Sequence, residues 1–503
     1  EKSTWYLDFD VNKISDAHFY EDFFFNDFRE TPEPDNQVSL VHVDPAYTAT
    51  LMTRFQLNDF YNVGAKLPEL AIDFTRRPLW GTGIFHQGSF MAGWYEDQIS
   101  DFQENALEAA IAASLAAPVP GSPVFPPAGF PSMDAPAFAG FRGFPAGATV
   151  LQSMLDEPSF ARLHTYHEFL YPKTLFGWLN VTPRIGGGVT HYASIDGSPT
   201  GLESETKPIF HAGLDVSFKL SKTWSDLRMP SLGLDGLRHI FQPYVNYSYL
   251  DADQPLGLPL IDRLSPTSRP RSIDVPLFTA IDDLKSWNIT RVGMRNYLQT
   301  RRDYTSYAGG NFLSATLDET QTYTWAGLNT YVDVFVNDPE FNRNVSNLYN
   351  ELFFRPVPWI NFWMDWQLPI DSGPGSFSEL NQGITFMPVQ NLHLTLGHQY
   401  VDGSPYFRDS NLIFSRVYAR LNDNWGFAMN HIFEMDDGTM EFQSYSVTRD
   451  LTSWIASLGL MFRDNRGGPD DNGIIFSLTL KDFPQVNIPL DIDPNPSGRG
   501  GDQ

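Results

Sequence analysis

Apolar and polar residues alternate one by one along many stretches of the chain. In residues 175–192 the odd positions are mostly apolar, whereas the even positions between Asn180 and Thr190 are polar or glycine. Successive residues of a β-strand point to opposite faces of the sheet, so this period of two predicts a two-faced strand. A phosphate-binding glycine loop needs a lysine and a serine or threonine directly after the glycines, and then a helix. The residues after the glycine triplet 186–188 do not match that pattern, which favours the strand.

The same alternation recurs in six further segments, at residues 213–220, 237–248, 360–368, 392–397, 453–463 and 474–481. The longer of these runs have about 9–13 residues, the length that a tilted strand needs to cross a bilayer. Strands of soluble globular proteins are shorter, with a most common length of about 5–6 residues. Large aromatic residues cluster near the ends of the runs, as they do at membrane interfaces. They are Phe176, Trp178, Tyr247, Tyr249, Trp425, Phe427 and Trp454.

These patterns predict an all-β fold, a large antiparallel transmembrane β-barrel of roughly 18–22 strands. We expect the barrel to occupy residues 1–485 and residues 486–503 to form a C-terminal tail. A soluble β-sandwich would have shorter strands and an apolar inner face. A β-propeller would show a repeat of roughly 40–50 residues, and the sequence shows none.

The polar face of the alternating segments predicts side chains that point into the barrel lumen. The candidates are Asn180, Thr182, Arg184, Asp215, Lys219, Arg238, Gln242, Asn361 and Asp365. Charged members of this set are expected to be solvated wall residues rather than catalysts.

Short and long connections alternate between the predicted strands. Tight turns are predicted at residues 219–224, 421–425 and 448–452, and long connections at residues 101–158, 195–207 and 251–285. The first long connection is expected either to be an extracellular loop or to fold into the lumen. Its beginning, residues 101–117, is predicted to form a short helix.

The composition narrows the possible functions. The 503 residues carry a formal net charge of −26, from 60 acidic and 34 basic residues, which argues against a nucleic-acid partner. The chain has no cysteine, so disulfides, cysteine zinc sites and thiol catalysis are excluded. We find no run of apolar residues long enough for a transmembrane helix.

No catalytic residue, metal site or cofactor is predicted. His164 and His167 resemble a metal-binding pair, but on a strand they point to opposite faces and cannot share an ion. Residues 463–473 have the composition of a calcium-binding loop but lack its terminal glutamate, so a hairpin turn is the preferred interpretation.

Five segments, in chain order, resemble one known family. Residues 10–24 carry a Ser-Asp and aromatic-acidic element, and residues 237–250 carry a His-Ile-x-x-Pro strand. Further matches lie in residues 66–74, in residues 259–264 together with 277–296, and in residues 445–463. Together they resemble the lipopolysaccharide-assembly family LptD, also called organic-solvent-tolerance protein. The matching residues of the first segment are Ile14, Ser15, Asp16, Phe19, Asp22 and Phe23; Gln242 stands where the family usually has glutamate.

The resemblance implies an integral protein of the bacterial outer membrane that takes lipopolysaccharide from an LptA-like periplasmic bridge and inserts it into the outer leaflet. It also implies an LptE-like plug lipoprotein inside the barrel, contact with outer-membrane lipid, and a lateral exit between the first and last strands. The family's N-terminal periplasmic jelly-roll domain and its cysteines are absent from the sequence. We therefore expect the chain to be part of a longer protein.

A passive or substrate-specific porin remains the alternative. A porin usually carries a constriction loop, and residues 101–158 could supply one. A barrel enzyme is a third possibility, for which the sequence shows no catalytic signature.

Overall fold

A computed structural model describes residues 4–16, 34–116, 155, 157–302, 321–373, 375–389, 391–464, 471–481 and 487–488. One antiparallel sheet contains all twenty-three strands among these residues. The first eight are β1 (Trp5–Asp10), β2 (Gln37–Asp44), β3 (Tyr47–Arg54), β4 (Val63–Pro78), β5 (Phe85–Gln98), β6 (Ser159–Leu170), β7 (Lys173–Leu175) and β8 (Leu179–Asp196). The next eight are β9 (Ser204–Phe218), β10 (Leu220–Met229), β11 (Leu234–Asp251), β12 (Trp287–Arg302), β13 (Gln321–Asn337), β14 (Leu348–Val357), β15 (Ile360–Leu368) and β16 (Ser378–Val389). The last seven are β17 (Leu392–Asp402), β18 (Ser410–Asn422), β19 (Trp425–Glu434), β20 (Thr439–Asp450), β21 (Trp454–Arg463), β22 (Asp471–Leu480) and β23 (Asn487–Ile488).

Strands β9 and β10 are two parts of one long strand. Ser217 lies opposite Tyr244 and Leu220 opposite Phe241, so the pairing with β11 continues across Lys219 without a shift. The tight turn predicted at residues 219–224 is therefore wrong. The polar run there resembles a turn, but β11 supplies its backbone partners. The chain reverses instead at the 3-10 turn Pro230–Leu232, which ends at Gly233 with a φ of 62°.

Other predicted boundaries move by a few residues. Phe176 and Gly177 have positive φ angles of 54° and 77° and form a hairpin turn, so the strand predicted at residues 175–192 begins later, at Leu179. It then continues to Asp196. The turn predicted at residues 421–425 lies between Asn422 and Trp425, as expected, and the one at residues 448–452 is displaced to residues 451–453.

The wall has the number of strands that the sequence predicts. The three-residue β7 and two-residue β23 are too short to span a bilayer, and β9 and β10 count once. This leaves twenty longer strands among the described residues, within the predicted range. The prediction of an all-β antiparallel barrel is confirmed.

The two faces of the wall differ in the way that a membrane barrel requires. The side chains of Ile185 and Leu458 are 54% and 56% exposed, whereas their chain neighbours Arg184 and Ser457 are each 7% exposed. Apolar residues therefore cover the outside and polar residues the inside, the reverse of a soluble fold.

The predicted helix is present as α1 (Asp101–Ala116). Residues 117–154 and 156 of the same connection lie outside the described residues, as do most of residues 486–503. So do residues 465–470 of the turn predicted at residues 463–473. Of the motif residues at the N-terminus, Phe19, Asp22 and Phe23 also lie outside them. Among the described residues, no helix is both long and apolar enough to cross a membrane.

The connection between β11 and β12, residues 252–286, folds into the barrel and is called the lumen segment below. Its Ile273, Val275 and Leu284 pack with Tyr166 of β6 and Leu250 of β11 in one buried cluster. A second cluster joins the lumen segment to β5, β6 and β8, and consists of Leu258, Leu260, Ile261, Tyr95, Phe160, Tyr192 and Ile195. The interior on this side is therefore packed protein rather than an open pore.

The first and last strands of the wall differ in their pairing. β1 pairs with β2, and β22 pairs with β21 and, at Leu478 and Thr479, with the short β23. Within the described residues, no ladder joins β1 to β22 or β23. The described part of the sheet therefore ends at β1 on one side and at β23 on the other.

The connections at the two ends of the barrel differ in length. One end carries the two-residue turns 45–46 and 423–424 and is called the short-turn end. The other end, the long-connection end, carries residues 11–36, 99–158 and 252–286.

Candidate functional site

Arg162 of β6 is the centre of the contact between the lumen segment and the wall. Alternation along β6 points its even-numbered residues inward, and the Arg162 side chain is fully buried. Its guanidinium lies 2.7 Å from Asp282 and 2.5 Å from Asp262, both in the lumen segment, and 3.5 Å from Glu69 of β4. Its centre also lies 3.9 Å from the ring centroid of Tyr95, a cation–π distance. One buried cation thus joins two strands of the wall to two points of the lumen segment.

Asp282 is fully buried and uses both carboxylate oxygens. Tyr192 of β8 donates to one oxygen at 3.0 Å, and the backbone amides of Ile261 and Asp262 donate to the other at 3.2 and 2.9 Å. Burial raises the pKa of the Asp282 carboxyl above its ordinary value; Arg162 opposes this and Asp262 adds to it.

The pKa of the Asp262 carboxyl shifts in the opposite direction from that of Asp282. Burial disfavours its charge, but Arg162 and Lys66 outweigh burial and lower the pKa of this carboxyl below its ordinary value. Asp262 therefore stays ionised at neutral pH and completes the charge balance around Arg162.

Arg184 forms a second attachment point. Its guanidinium lies 3.0 Å from Asp274 of the lumen segment and 3.3 Å from Asp215 of β9. Burial raises the pKa of Asp274; Arg184 opposes this shift, and Glu168 adds to it. The sequence named Arg184 and Asp215 as inward-facing, and the structure brings them together with a residue of the lumen segment.

A buried chain of hydrogen-bonding groups crosses the wall beside this point. Gln87 donates to Glu168 at 2.7 Å, Glu168 lies 2.9 Å from His211, and His211 lies 3.0 Å from Ser248. Trp287, where β12 begins, donates its indole N–H to Ser248 at 2.9 Å. The order of groups is that of a serine–histidine–acid triad. Glu168, His211 and Ser248 are each 0% exposed, so a substrate cannot reach them and the chain serves to tie five strands together.

The far side of the lumen segment is attached to β15. Arg269 lies 2.8 Å from Asp365 and 3.5 Å from Glu351 of β14. Gln367 donates to the backbone carbonyl of Ser268 at 2.9 Å. The polar contacts of the lumen segment therefore extend from β4 to β15.

The other candidates from the sequence lie along the wall. Asn180 accepts a 2.9 Å hydrogen bond from Thr174, and Asn361 accepts one of 3.1 Å from Arg355. Thr182 lies opposite Asp215 in the β8–β9 register. Arg238 and Gln242 lie opposite Gln299 and Arg295 in the β11–β12 register, and Lys219 is exposed between β9 and β10.

His164 and His167 have separate partners, as their opposite positions on β6 predict. His164 contacts the hydroxyl of Thr190 at 2.8 Å, and His167 contacts His86 at 3.0 Å. Across the part of the chain that the structure describes, no three His, Asp or Glu side chains are grouped to hold a metal ion.

Sequence reasoning missed the principal residues of this site. Arg162 is one of several polar residues on the even positions of β6, and applying the alternation to that strand would have placed it inward. Asp282 and Asp283 stand as a pair in an otherwise apolar stretch, which is a local signal of buried, partnered carboxylates. The pairing of Arg162 with Asp282 has no local signal, because the two residues are 120 positions apart.

A family model described as LPS transport system D (LptD) matches residues 2–430. The chain belongs to this family. The match covers the wall from β1 into β19, together with the lumen segment. The protein is accordingly an integral β-barrel of the bacterial outer membrane, and its family is one of lipopolysaccharide transport.

Solved structures of outer-membrane receptors are distantly similar. The FrpB iron transporter from Neisseria meningitidis (F3-3 variant) has a TM-score of 0.33 and 9% identity, over 90% of this chain and 73% of that one. The ferric enterobactin receptor PfeA from Pseudomonas aeruginosa has a TM-score of 0.36 and 7% identity, over 88% and 70%. The alcaligin receptor FauA from Bordetella pertussis has a TM-score of 0.28 and 9% identity, over 88% and 68%. At these TM-scores they add nothing to the family assignment. No curated protein matches the sequence.

Proposed function

We propose that this protein receives lipopolysaccharide at its periplasmic end and inserts it into the outer leaflet of the outer membrane. The observation that carries the proposal is that, within the described residues, no ladder joins the first strand β1 to the last strands β22 and β23, beside a polar lumen. A strand edge without backbone partners is costly in lipid, so a seam between β1 and β22 needs a functional reason. A lateral exit for lipopolysaccharide, which has a hydrated sugar part and an apolar lipid part, is such a reason.

The two parts of lipopolysaccharide match the two faces of the wall. The sugars travel along the inward-facing polar side chains, while the acyl chains remain near the apolar outside, where Leu458 and Phe476 are exposed. The seam between β1 and β22 is where both parts leave together. Because outer-membrane barrels have short periplasmic turns, we assign the short-turn end to the periplasm and to an LptA-like bridge protein.

We further propose that an LptE-like lipoprotein fills the part of the lumen that the lumen segment does not contact. The inward-facing residues Asn381, Gln399, Arg416 and Asn430 line β16 to β19, beyond the strands that hold the lumen segment. Their mixed polar character suits a protein partner with a polar surface.

Co-purification tests the proposal. The protein is extracted from native outer membranes in mild detergent, and everything that remains bound is identified by mass spectrometry. We expect a small lipoprotein in one-to-one ratio and bound lipopolysaccharide. A homotrimer without a lipoprotein that conducts ions in planar bilayers would instead identify a porin.

A further inference from the structure

The lumen contains a cavity of about 320 Å3 between the lumen segment and the wall. The lumen segment contributes residues from Leu264 to Lys285, and the wall contributes the beginnings of β12 and β14 and the end of β13. Part of the connection from β13 to β14, with Phe341 and Arg343, and Tyr406 from the connection between β17 and β18 complete the lining. The cavity therefore lies toward the long-connection end of the barrel.

Aromatic rings dominate the apolar part of the lining. Four of the lining rings belong to buried residues: Trp287, Phe335, Tyr349 and Phe377. Phe341 and Tyr406 are more open to solvent, and their ring centroids are 5.7 Å apart. Both buried and partly exposed aromatic rings thus line the cavity.

The charged groups of the lining are already neutralised by ion pairs, either with each other or with neighbouring residues. Each lining cation lies within ion-pair distance of a carboxylate; the pairs are Arg269 with Asp365 (2.8 Å), Arg271 with Glu340, Lys285 with Asp283 (3.1 Å) and Arg343 with Asp338 (2.8 Å). The remaining lining carboxylate, Asp333, lies 2.7 Å from Arg291. The cavity therefore combines aromatic faces with many hydrogen-bonding groups and carries little net charge.

We propose that this cavity binds a neutral sugar ring. The C–H faces of a pyranose pack on aromatic rings, and its hydroxyls can donate to carboxylates and accept from guanidinium groups without breaking the ion pairs. The cavity volume is near the lower limit of about 300 Å3 for small-molecule sites, which suits one or two sugar units.

Two other ligand classes fit less well. An acyl chain would bury the ion pairs without giving hydrogen bonds, which is unfavourable for polar groups. A phosphate would need a cation that is not already paired with a carboxylate, and each lining cation already has one.

The inference deepens the proposed function, on which it rests for the source of the sugar. The same chemistry would recognise a neutral unit in the sugar part of lipopolysaccharide or a free saccharide. In the first case the cavity holds the sugar part near the long-connection end while the acyl chains leave through the seam.

Isothermal titration calorimetry on the full-length protein in detergent tests the inference. The ligands are maltotriose, the dephosphorylated sugar part released from the host's lipopolysaccharide, glucose 6-phosphate and sodium decanoate. We expect one or both neutral saccharides to bind, and Tyr406→Ala to weaken their binding by about tenfold or more. Tyr406→Phe keeps the ring and should retain most of the affinity. Leu256→Ala is the matched control, because Leu256 is 74% exposed on the lumen segment and does not line the cavity.

Each outcome of the titration either supports or refutes the sugar site. Binding of both saccharides, or of the lipopolysaccharide sugar alone, supports the inference and distinguishes a general sugar site from one for the transported lipid. The absence of saccharide binding at millimolar concentration would refute it, as would tighter binding of glucose 6-phosphate or decanoate in a manner that Tyr406→Ala weakens. Delivery of lipopolysaccharide to the cell surface is measured separately. If delivery needs this protein but no saccharide binds, the sugar site is wrong and the transport function remains.

Discussion

Arg162 of β6 and Asp282 of the lumen segment form an ion pair at 2.7 Å in which both side chains are fully buried. The two residues are 120 positions apart, so this contact closes a long loop of the chain across the inside of the barrel. A buried pair of this kind adds little stability over an apolar pair, but breaking it leaves an unpaired charge away from water. The pair therefore fixes where the lumen segment sits.

Replacing Arg162 with methionine should destabilise the protein strongly. The substitution keeps most of the side-chain volume but leaves the Asp282 and Asp262 carboxylates without their cation, which we expect to cost about 3 to 5 kcal/mol. Urea unfolding of the protein in lipid vesicles, followed by tryptophan fluorescence, measures this change. Arg269→Met is the matched control: its pair with Asp365 is 44% and 28% exposed, so it should cost no more than about 1 kcal/mol. Equal losses of unfolding free energy in the two variants would show that the buried Arg162 pair stabilises the protein no more than the exposed Arg269 pair.

The contribution of Asp262 to the free energy of unfolding should depend on pH. Its folded-state pKa is lowered, so its ionised form stabilises the fold above the ordinary aspartate pKa of about 4. This stabilisation is lost as the pH falls through the lowered value. We expect the difference in unfolding free energy between the wild type and Asp262→Asn to be largest at neutral pH and to shrink below about pH 4. A difference that stays constant or grows on acidification would contradict the shift.

The ring of Trp363 occupies the space that a side chain at position 383 would need, so this position should require glycine. The two residues are direct partners across β15 and β16, and a Cβ atom added to Gly383 would lie 2.7 Å from Trp363 Cζ2. Gly383→Ala should therefore cost about 1 to 3 kcal/mol by overpacking. The same arrangement recurs at Gly293, where a Cβ atom would lie 2.5 Å from the ring of Tyr244.

Gly373→Ala is the control for this substitution, because an added Cβ atom there has no heavy atom within 4 Å. It should change stability by less than about 0.5 kcal/mol. Adding Trp363→Leu to Gly383→Ala should recover part of the loss in the same unfolding measurement. If the smaller residue gives no recovery, the clash with Trp363 is not the cause.

A disulfide should form between the wall and the lumen segment when cysteines replace Gly64 and Ile261. A Cβ atom added to Gly64 of β4 would lie 3.2 Å from Ile261 Cγ2. Because Cγ2 is one bond from the Ile261 Cβ atom, the two Cβ atoms are close enough for a disulfide, in which they are about 3.5–4.5 Å apart. The chain has no other cysteine, so mild oxidation in the membrane can link only this pair. Mass spectrometry of the linked peptide and the loss of maleimide labelling report the bond.

Cysteines at Gly64 and Gly373 provide the control, because Gly373 lies in the connection between β15 and β16 and should stay free. If the Gly64 and Ile261 thiols both remain reactive after oxidation, the lumen segment does not occupy the place described above.

The sequence could predict the wall but not what lies inside it. Period-two alternation is a local property, and it sufficed to place Arg184, Asp215 and Asp365 on one face of their strands. Their partners Asp274 and Arg269 come from the lumen segment, and no local pattern specifies such long-range pairing. The error at Lys219 has a related origin, because the polar run after it resembles a turn until the partner strand β11 is known.

The proposed transport of lipopolysaccharide is tested most directly by depleting this protein in its native host and measuring lipopolysaccharide on the cell surface. We expect newly made lipopolysaccharide to disappear from the surface and to accumulate on the periplasmic side, and we expect the wild-type gene supplied in trans to restore it. If newly made lipopolysaccharide reached the surface at the normal rate after depletion, the proposed function would be contradicted.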